Sequence, residues 1–158
     1  MSKQPNSRNC FVCGVENHFG LQLKFYEVAP GHVTAEIVVP EHFQGYPGVV
    51  HGGIIAAMLD EVSGRSMIRG EPPRWMVTAK MEIRYRRPVP TGKRLFLEGK
   101  AKEDNGRIAT VIGSIYNEEH VLLAEAEAVM ADIPQHLLNS TIFEPEDWKI
   151  YPDAEAQP

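Results

Sequence analysis

The chain predicts an α+β fold in which one curved antiparallel sheet wraps a single long helix. Three observations carry this. Two alternating apolar stretches precede a long run without alternation, Gly53 to about Met67, and four more alternating stretches follow it. That run is apolar nearly all round, so it must be covered on nearly all sides. The later stretches carry small residues on their apolar faces (Ala79, Gly99, Ala101, Ala124, Ala126 and Ala128), which lets another backbone approach closely.

The elements follow in order. A lead over residues 1–20 contains a C-x-x-C, Cys10 and Cys13. "LQLKFYEV" then sets Leu21, Leu23 and Phe25 against Gln22, Lys24 and Tyr26, the period of a half-buried strand. After a turn at Pro30 and Gly31, "HVTAEIVV" puts Val33, Ala35, Ile37 and Val39 on one face, so the two read as a hairpin. "PEHFQGYPG" is loop chemistry. The run from Gly53 holds alanines and methionines, which favour helix.

Beyond the helix, "MVTAKMEIRYR" sets Val77, Ala79, Met81, Ile83 and Tyr85 against Thr78, Lys80, Glu82, Arg84 and Arg86. "RLFLEGKAK" aligns Leu95, Leu97, Gly99 and Ala101. "RIATVIGSIY" is apolar on both faces, as a central strand is, and "VLLAEAEAVM" opposes Leu122, Ala124, Ala126, Ala128 and Met130 to Glu125 and Glu127. The domain therefore spans residues 21–133. Residues 134–158, with a short helix near Gln135 to Asn139, read as a peripheral extension.

Composition excludes several classes. A length of 158 residues suits one domain. No apolar run approaches the roughly 18 residues that span a membrane, and the N-terminus lacks the apolar core of a signal peptide, so the expectation is a cytoplasmic protein. A net charge of −5 leaves no positive footprint for nucleic acid. The C-x-x-C offers two zinc ligands, with His18 the nearest third candidate, and a complete site needs a distant residue or a second chain. The reading for the pair is therefore an ordered lead with half-buried thiols, with no metal and no cofactor.

One sheet covers about half of an all-apolar helix, so the remainder calls for a second copy of the chain. The expectation is a homodimer, or a dimer of dimers.

With the helix stretch "HGGIIAAMLDE" at His51 to Glu61 in view, the pattern resembles the hotdog fold. More narrowly it resembles acyl-CoA thioesterases of the phenylacetate-pathway type, in which a His-Gly-Gly opens the central helix and an acid sits seven residues after the second glycine. "TAKMEIRYRRPVP" resembles the strand that follows the helix in that family, and the likeness extends from about Leu21 to Asp132. The resemblance implies an acyl-CoA substrate, a carbonyl-polarising N–H at Gly52, and Asp60 as general base or nucleophile. It also implies that Thr78 hydrogen-bonds the acid or its water.

The chemistry agrees with that assignment. Thioester hydrolysis needs donors aimed at the carbonyl oxygen and a group that attacks or activates water. The first helical turn, with Gly52 and Gly53, supplies unsatisfied N–H groups and the positive end of the helix dipole. Gly52 and Asp60 are eight residues apart, hence about 12 Å apart along a helix, and cannot reach one thioester within one chain. The site should straddle a dimer interface, with Asp60 from the partner protomer.

Alternation places Thr78 opposite Val77 and Ala79, so a twist or bulge is needed to bring it inward. Gln44 is a candidate for holding the carbonyl, and His51 is expected to fix the loop with its ring. Glu61, about 100° around the helix from Asp60, is the fallback acid. Arg86, clustered with Arg84, Arg87, Lys93 and Arg94, is a candidate for the phosphates of coenzyme A.

Two other readings compete. "EHFQGYPG" looks like the His-Phe-Pro-Gly loop of hydroxyacyl dehydratases, in which the helix acid follows the histidine by fourteen residues. Here that position is Ala56, so the spacing counts against it. The other rival is a non-catalytic acyl-CoA-binding dimer, which the same residues would also serve.

Overall fold

The helix starts where the sequence stops being able to form strand. His51 adopts φ −60° and ψ 138° and caps α1 (Gly52–Arg65), its ring Nδ1 accepting the Gly53 N–H at 3.0 Å. Ile55, Met58, Leu59 and Val62 of α1 are buried, and the helix closes with Ser66, whose hydroxyl donates to the Ser63 carbonyl.

This computed structural model describes residues 1–69, 74–138 and 148–152. Around α1 runs one antiparallel sheet of seven strands: β1 (Ser2–Lys3), β2 (Phe25–Ala29), β3 (His32–Val38), β4 (Met76–Tyr85), β5 (Arg94–Asp104), β6 (Ile108–Tyr116) and β7 (Leu122–Asp132). Their spatial order is β1, β2, β3, β5, β6, β7, β4. A short helix α2 (Gln135–Leu138) follows β7, where the sequence placed one; Asn139 and most of the extension lie outside the described residues. Among the described residues no helix is long and apolar enough to cross a membrane.

Close approach of helix to sheet is written into β5. A Cβ on Gly99 would overlap the Val62 carbonyl, so the helix backbone lies against the strand backbone with no room for a side chain. The apolar faces expected for β3, β5 and β7 are buried at Val33, Ala35, Leu95, Leu97, Ala124, Ala126, Ala128 and Met130. β6 lies inside the sheet between β5 and β7, as its two apolar faces require.

Three local expectations are corrected. The strand expected from Leu21 begins only at Phe25, because Gln22 has φ +51° and breaks the extended run. Leu21 and Leu23 are nonetheless buried, their N–H groups donating to the carbonyls of Phe11 and Val12, which stitches the lead to the domain. Second, β1 in the lead pairs with β2, a strand too short to show a period. Third, Val77 and Ala79 do not share the buried face with Met81 and Ile83. A bulge between Thr78 and Lys80 leaves Ala79 without a partner on β7 and reverses the phase, so Val77 and Ala79 are exposed.

Candidate functional site

Asp60 stands half-buried in the third turn of α1, and the bulge in β4 decides what it meets. With the phase reversed, Thr78 turns toward the helix and its Oγ1 donates to Asp60 Oδ1 at 2.6 Å. Thr78 also lies 3.4 Å from the Met130 sulfur across β7. The second oxygen of Asp60 has no hydrogen-bond partner among the described residues. Asp60 borders a cavity of about 470 Å³ whose wall includes Gly64, Trp75, Met76, Val77, Thr78 and Met130.

This is a carboxylate oriented on one oxygen and open on the other. Such an acid can take a proton or attack a carbon, provided an electrophile is held above it.

Glu61 is committed elsewhere. Its Oε1 accepts from Arg65 Nε at 2.8 Å, one helical turn on, and its Oε2 faces Cys10 Sγ at 3.9 Å. Arg65 is 1% exposed and sits between the rings of Phe25 and Trp148, 4.5 Å from each centroid. The arginine that could have made Asp60 a structural ion pair is therefore taken by its neighbour.

The other end of α1 carries the donors. The Gly53 N–H is satisfied by His51, and those of Ile54 and Ile55 by the His51 carbonyl. The Gly52 N–H has no protein acceptor among the described residues. It remains the one of these four free for an incoming oxygen, at the positive end of the dipole. Tyr85, from the far end of β4, donates its hydroxyl to the Gly52 carbonyl at 3.1 Å and so braces this turn.

The loop before the helix is equally fixed. His51 N–H donates to the Phe43 carbonyl, and Gln44 accepts the Gly48 N–H at 3.0 Å while bridging to Val50. Gln44 thus lies in the loop clamped against the helix start, with its Oε1 engaged within that loop. Arg86 is engaged too: Nε and Nη2 both donate to Glu125 Oε1, at 3.0 and 2.5 Å.

Some participants were not legible as such. Tyr85 reads as one more apolar strand position, and only the closing of β4 over the helix start reveals its role. Trp148 of the extension and Cys10 of the lead both wall the Asp60 cavity, although neither segment was expected to approach it. Cys10 accepts backbone N–H groups of Val12 and Cys13 and lies beside the Cys13 thiol. The Cys13 hydrogen bond first, and then those N–H groups, hold the Cys10 thiol down to about 6 against burial and the Glu61 charge. Cys13 is pushed up, chiefly by the same pairing and by burial. A larger cleft of about 730 Å³ lies over β3, β5 and β6, near Thr34, Glu36, Phe96 and Glu98, and contains neither Asp60 nor the helix start.

A sheet curled about one central helix, an acid in mid-helix held by the following strand, and an open N–H at the helix start define the class: a hotdog-fold domain. The sequence pattern of the thioesterase superfamily matches residues 47–124, from the loop before α1 to the start of β7. The chain is similar to the mouse acyl-coenzyme A thioesterase THEM4, 33% identical over 91 residues, which is 56% of this chain and 37% of that protein. It spans 37% to 55% of the length of the curated relatives it matches. Among solved structures it is similar to a thioesterase superfamily protein at 31% identity and a TM-score of 0.72, covering 78% of this chain and 63% of that one. The Escherichia coli PaaI protein from the phenylacetic acid degradation operon shares the fold at 15% identity, with a TM-score of 0.66 over 72% of this chain and 81% of that one. Over residues 47–124 the chain is therefore similar to the thioesterase superfamily, and it shares the hotdog fold of these proteins.

Proposed function

We propose that the protein hydrolyses acyl-CoA thioesters, with the Gly52 N–H of one protomer polarising the carbonyl and Asp60 of its partner acting on it. The observation that carries this reading is Asp60 itself, fixed on one oxygen by Thr78 and open to the cavity on the other. Similarity to THEM4 supports the substrate class.

In the hydrolytic step Asp60 takes a proton from water as the hydroxide adds to the carbonyl carbon, or adds to that carbon itself. In the first route the carbon–sulfur bond then breaks and the proton held by Asp60 passes to the leaving thiolate. In the second the thiolate leaves from an Asp60 acyl anhydride, and water then cleaves that anhydride, giving the free acid, returning the Asp60 carboxylate and supplying the proton that the thiolate takes up. The Gly52 N–H and the helix dipole meet the oxygen where negative charge develops, which is where a donor lowers the barrier. Thr78 is a positioning residue. Gln44, His51 and Gly53 shape the mouth around the carbonyl, and Arg86 lies among the cations offered to the coenzyme A phosphates.

The two-chain arrangement is part of the proposal. Gly52 and Asp60 lie about 12 Å apart along α1. β4 supports a partner: it is a ten-residue edge strand with Val77 50% exposed and Ala79 exposed, the kind of edge that another strand pairs with.

The test is thiol release from a panel of short, medium, long and aromatic acyl-CoAs, with wild type beside Asp60→Ala and Asp60→Asn. Turnover by wild type with a loss of at least about a hundredfold in both variants is expected. Binding of the panel without turnover would make the protein an acyl-CoA-binding dimer instead.

A further inference from the structure

The C-x-x-C of the lead is shaped by its backbone before any ligand arrives. Cys10 Sγ lies 3.3 Å from the Val12 nitrogen and 3.5 Å from the Cys13 nitrogen, both aimed at it as donors. The turn closes through the Gly14 N–H, which donates to the Cys10 carbonyl at 2.9 Å. A Cβ at Gly14 would run into the Cys10 backbone, so Cys-Phe-Val-Cys-Gly takes this shape only with glycine last. Two N–H groups on one sulfur favour the thiolate, which is the form that ligates metal.

The fold then adds a third ligand that the sequence gives no reason to pair with the cysteines. Glu61 of α1 presents Oε2 to Cys10, while Arg65 grips Oε1 and fixes the carboxylate's orientation. One ligand atom each from Cys10, Cys13 and Glu61 lies within 4.8 Å of the other two, and Cys13 is fully buried. His18, the nearest candidate in sequence, is outside this group.

Geometry and charge agree on what fits. Thiolates about 2.3 Å from a tetrahedral zinc ion lie roughly 3.8 Å apart, and a thiolate and a carboxylate oxygen roughly 3.6 Å apart. The observed Cys10 to Glu61 separation is 3.9 Å, and no pair in the group exceeds 4.8 Å, so shifts of up to about 1 Å close the site. Two thiolates and a carboxylate beside one guanidinium leave a net charge of about −2, which a divalent cation neutralises in a half-buried setting. A disulfide would account for the two cysteines but not for a carboxylate oriented onto them.

We propose that Cys10, Cys13 and Glu61 bind a zinc-class divalent ion through three protein ligands, leaving a fourth tetrahedral position. Two thiolates in the set select zinc over magnesium or calcium. The Arg65 contact to Glu61 is the outer hydrogen bond that ligating groups need to hold their orientation. The ion ties the lead to α1 at the residue after Asp60, and thereby fixes the wall of the cavity that Cys10 shares with Asp60.

The test uses the full chain without a histidine tag, reduced, stripped with a chelator and titrated with Co²⁺, beside Cys13→Ser and Glu61→Gln. Expected are one equivalent bound with thiolate-to-cobalt charge-transfer absorption, displacement by Zn²⁺, and a melting temperature that rises with Zn²⁺. Cys13→Ser should lose the absorption. Glu61→Gln, nearly isosteric and checked as folded by circular dichroism, should weaken Co²⁺ binding by at least about tenfold. Folded, reduced wild type that takes up no Co²⁺ overturns the proposal. So does Co²⁺ binding unchanged in Glu61→Gln, which would remove Glu61 from the ligand set, or a chain that only oxidises to a Cys10–Cys13 disulfide.

Discussion

The free N–H of Gly52 is a single-atom claim, and one residue type can delete that atom while keeping the helix. Proline is favoured at the first helical position, where its missing N–H costs no intrahelical bond. The preceding residue, His51, already has the extended backbone that proline demands of its neighbour. Gly52→Ala is the matched control: it keeps the N–H, and its Cβ would rest 3.7 Å from the Tyr85 ring, an ordinary contact. Gly52→Pro should therefore lower kcat by about 10²- to 10³-fold, as removal of an oxyanion donor does, while Gly52→Ala stays within a few-fold of wild type. Steady-state kinetics on the best acyl-CoA, with melting curves to show that both variants fold, checks this. Equal losses in both would mean that glycine matters there for shape and not for its donor.

At the scale of elements, α1 and β5 stand closest. Gly99 faces the Val62 carbonyl, and the neighbour that would have to yield is backbone, not a flexible side chain. Gly99→Ala should cost about 3 kcal/mol, the upper end for overpacking, read as a lowered melting temperature. An unchanged melting temperature would show that the helix can lift off the sheet at no cost. This glycine was legible in the sequence, as one of the small residues on an apolar strand face. So were the helix, from a long apolar run without strand alternation, six of the strands, and the sheet's inner face over β3, β5 and β7, where the period of two survives folding.

What was not legible depended on a single irregular residue or on distant chain. The bulge at Ala79 interrupts the cleanest alternation in the sequence, and no residue type announces it; only pairing with β7 does. It is nonetheless what turns Thr78 inward to Asp60. Likewise Glu61 read as a spare acid beside Asp60. Arg65, one turn on, and Cys10, fifty-one residues back, decide its orientation, and the second of these is a matter of tertiary folding.

At the scale of the whole molecule, the 12 Å between Gly52 and Asp60 makes shared sites a prediction about mixtures of chains. Take Gly52→Pro and Asp60→Ala, each expected to be nearly inactive as a homodimer. In a mixed dimer one site pairs the intact Gly52 of the Asp60→Ala chain with the intact Asp60 of the Gly52→Pro chain, and the other site has both defects. Unfolding and refolding an equal mixture should leave half of the dimers mixed, each with one working site of two, so activity should return to about a quarter of wild type. A site built within one chain predicts no recovery at all, because every protomer in the mixture is itself defective. Sedimentation of the same sample shows whether the chains pair. Paired chains without recovery would leave the fold and the family resemblance in place and remove the partner's Asp60 from the reaction, whereas recovery near a quarter would identify the exposed edge of β4 as the place to look for the second copy.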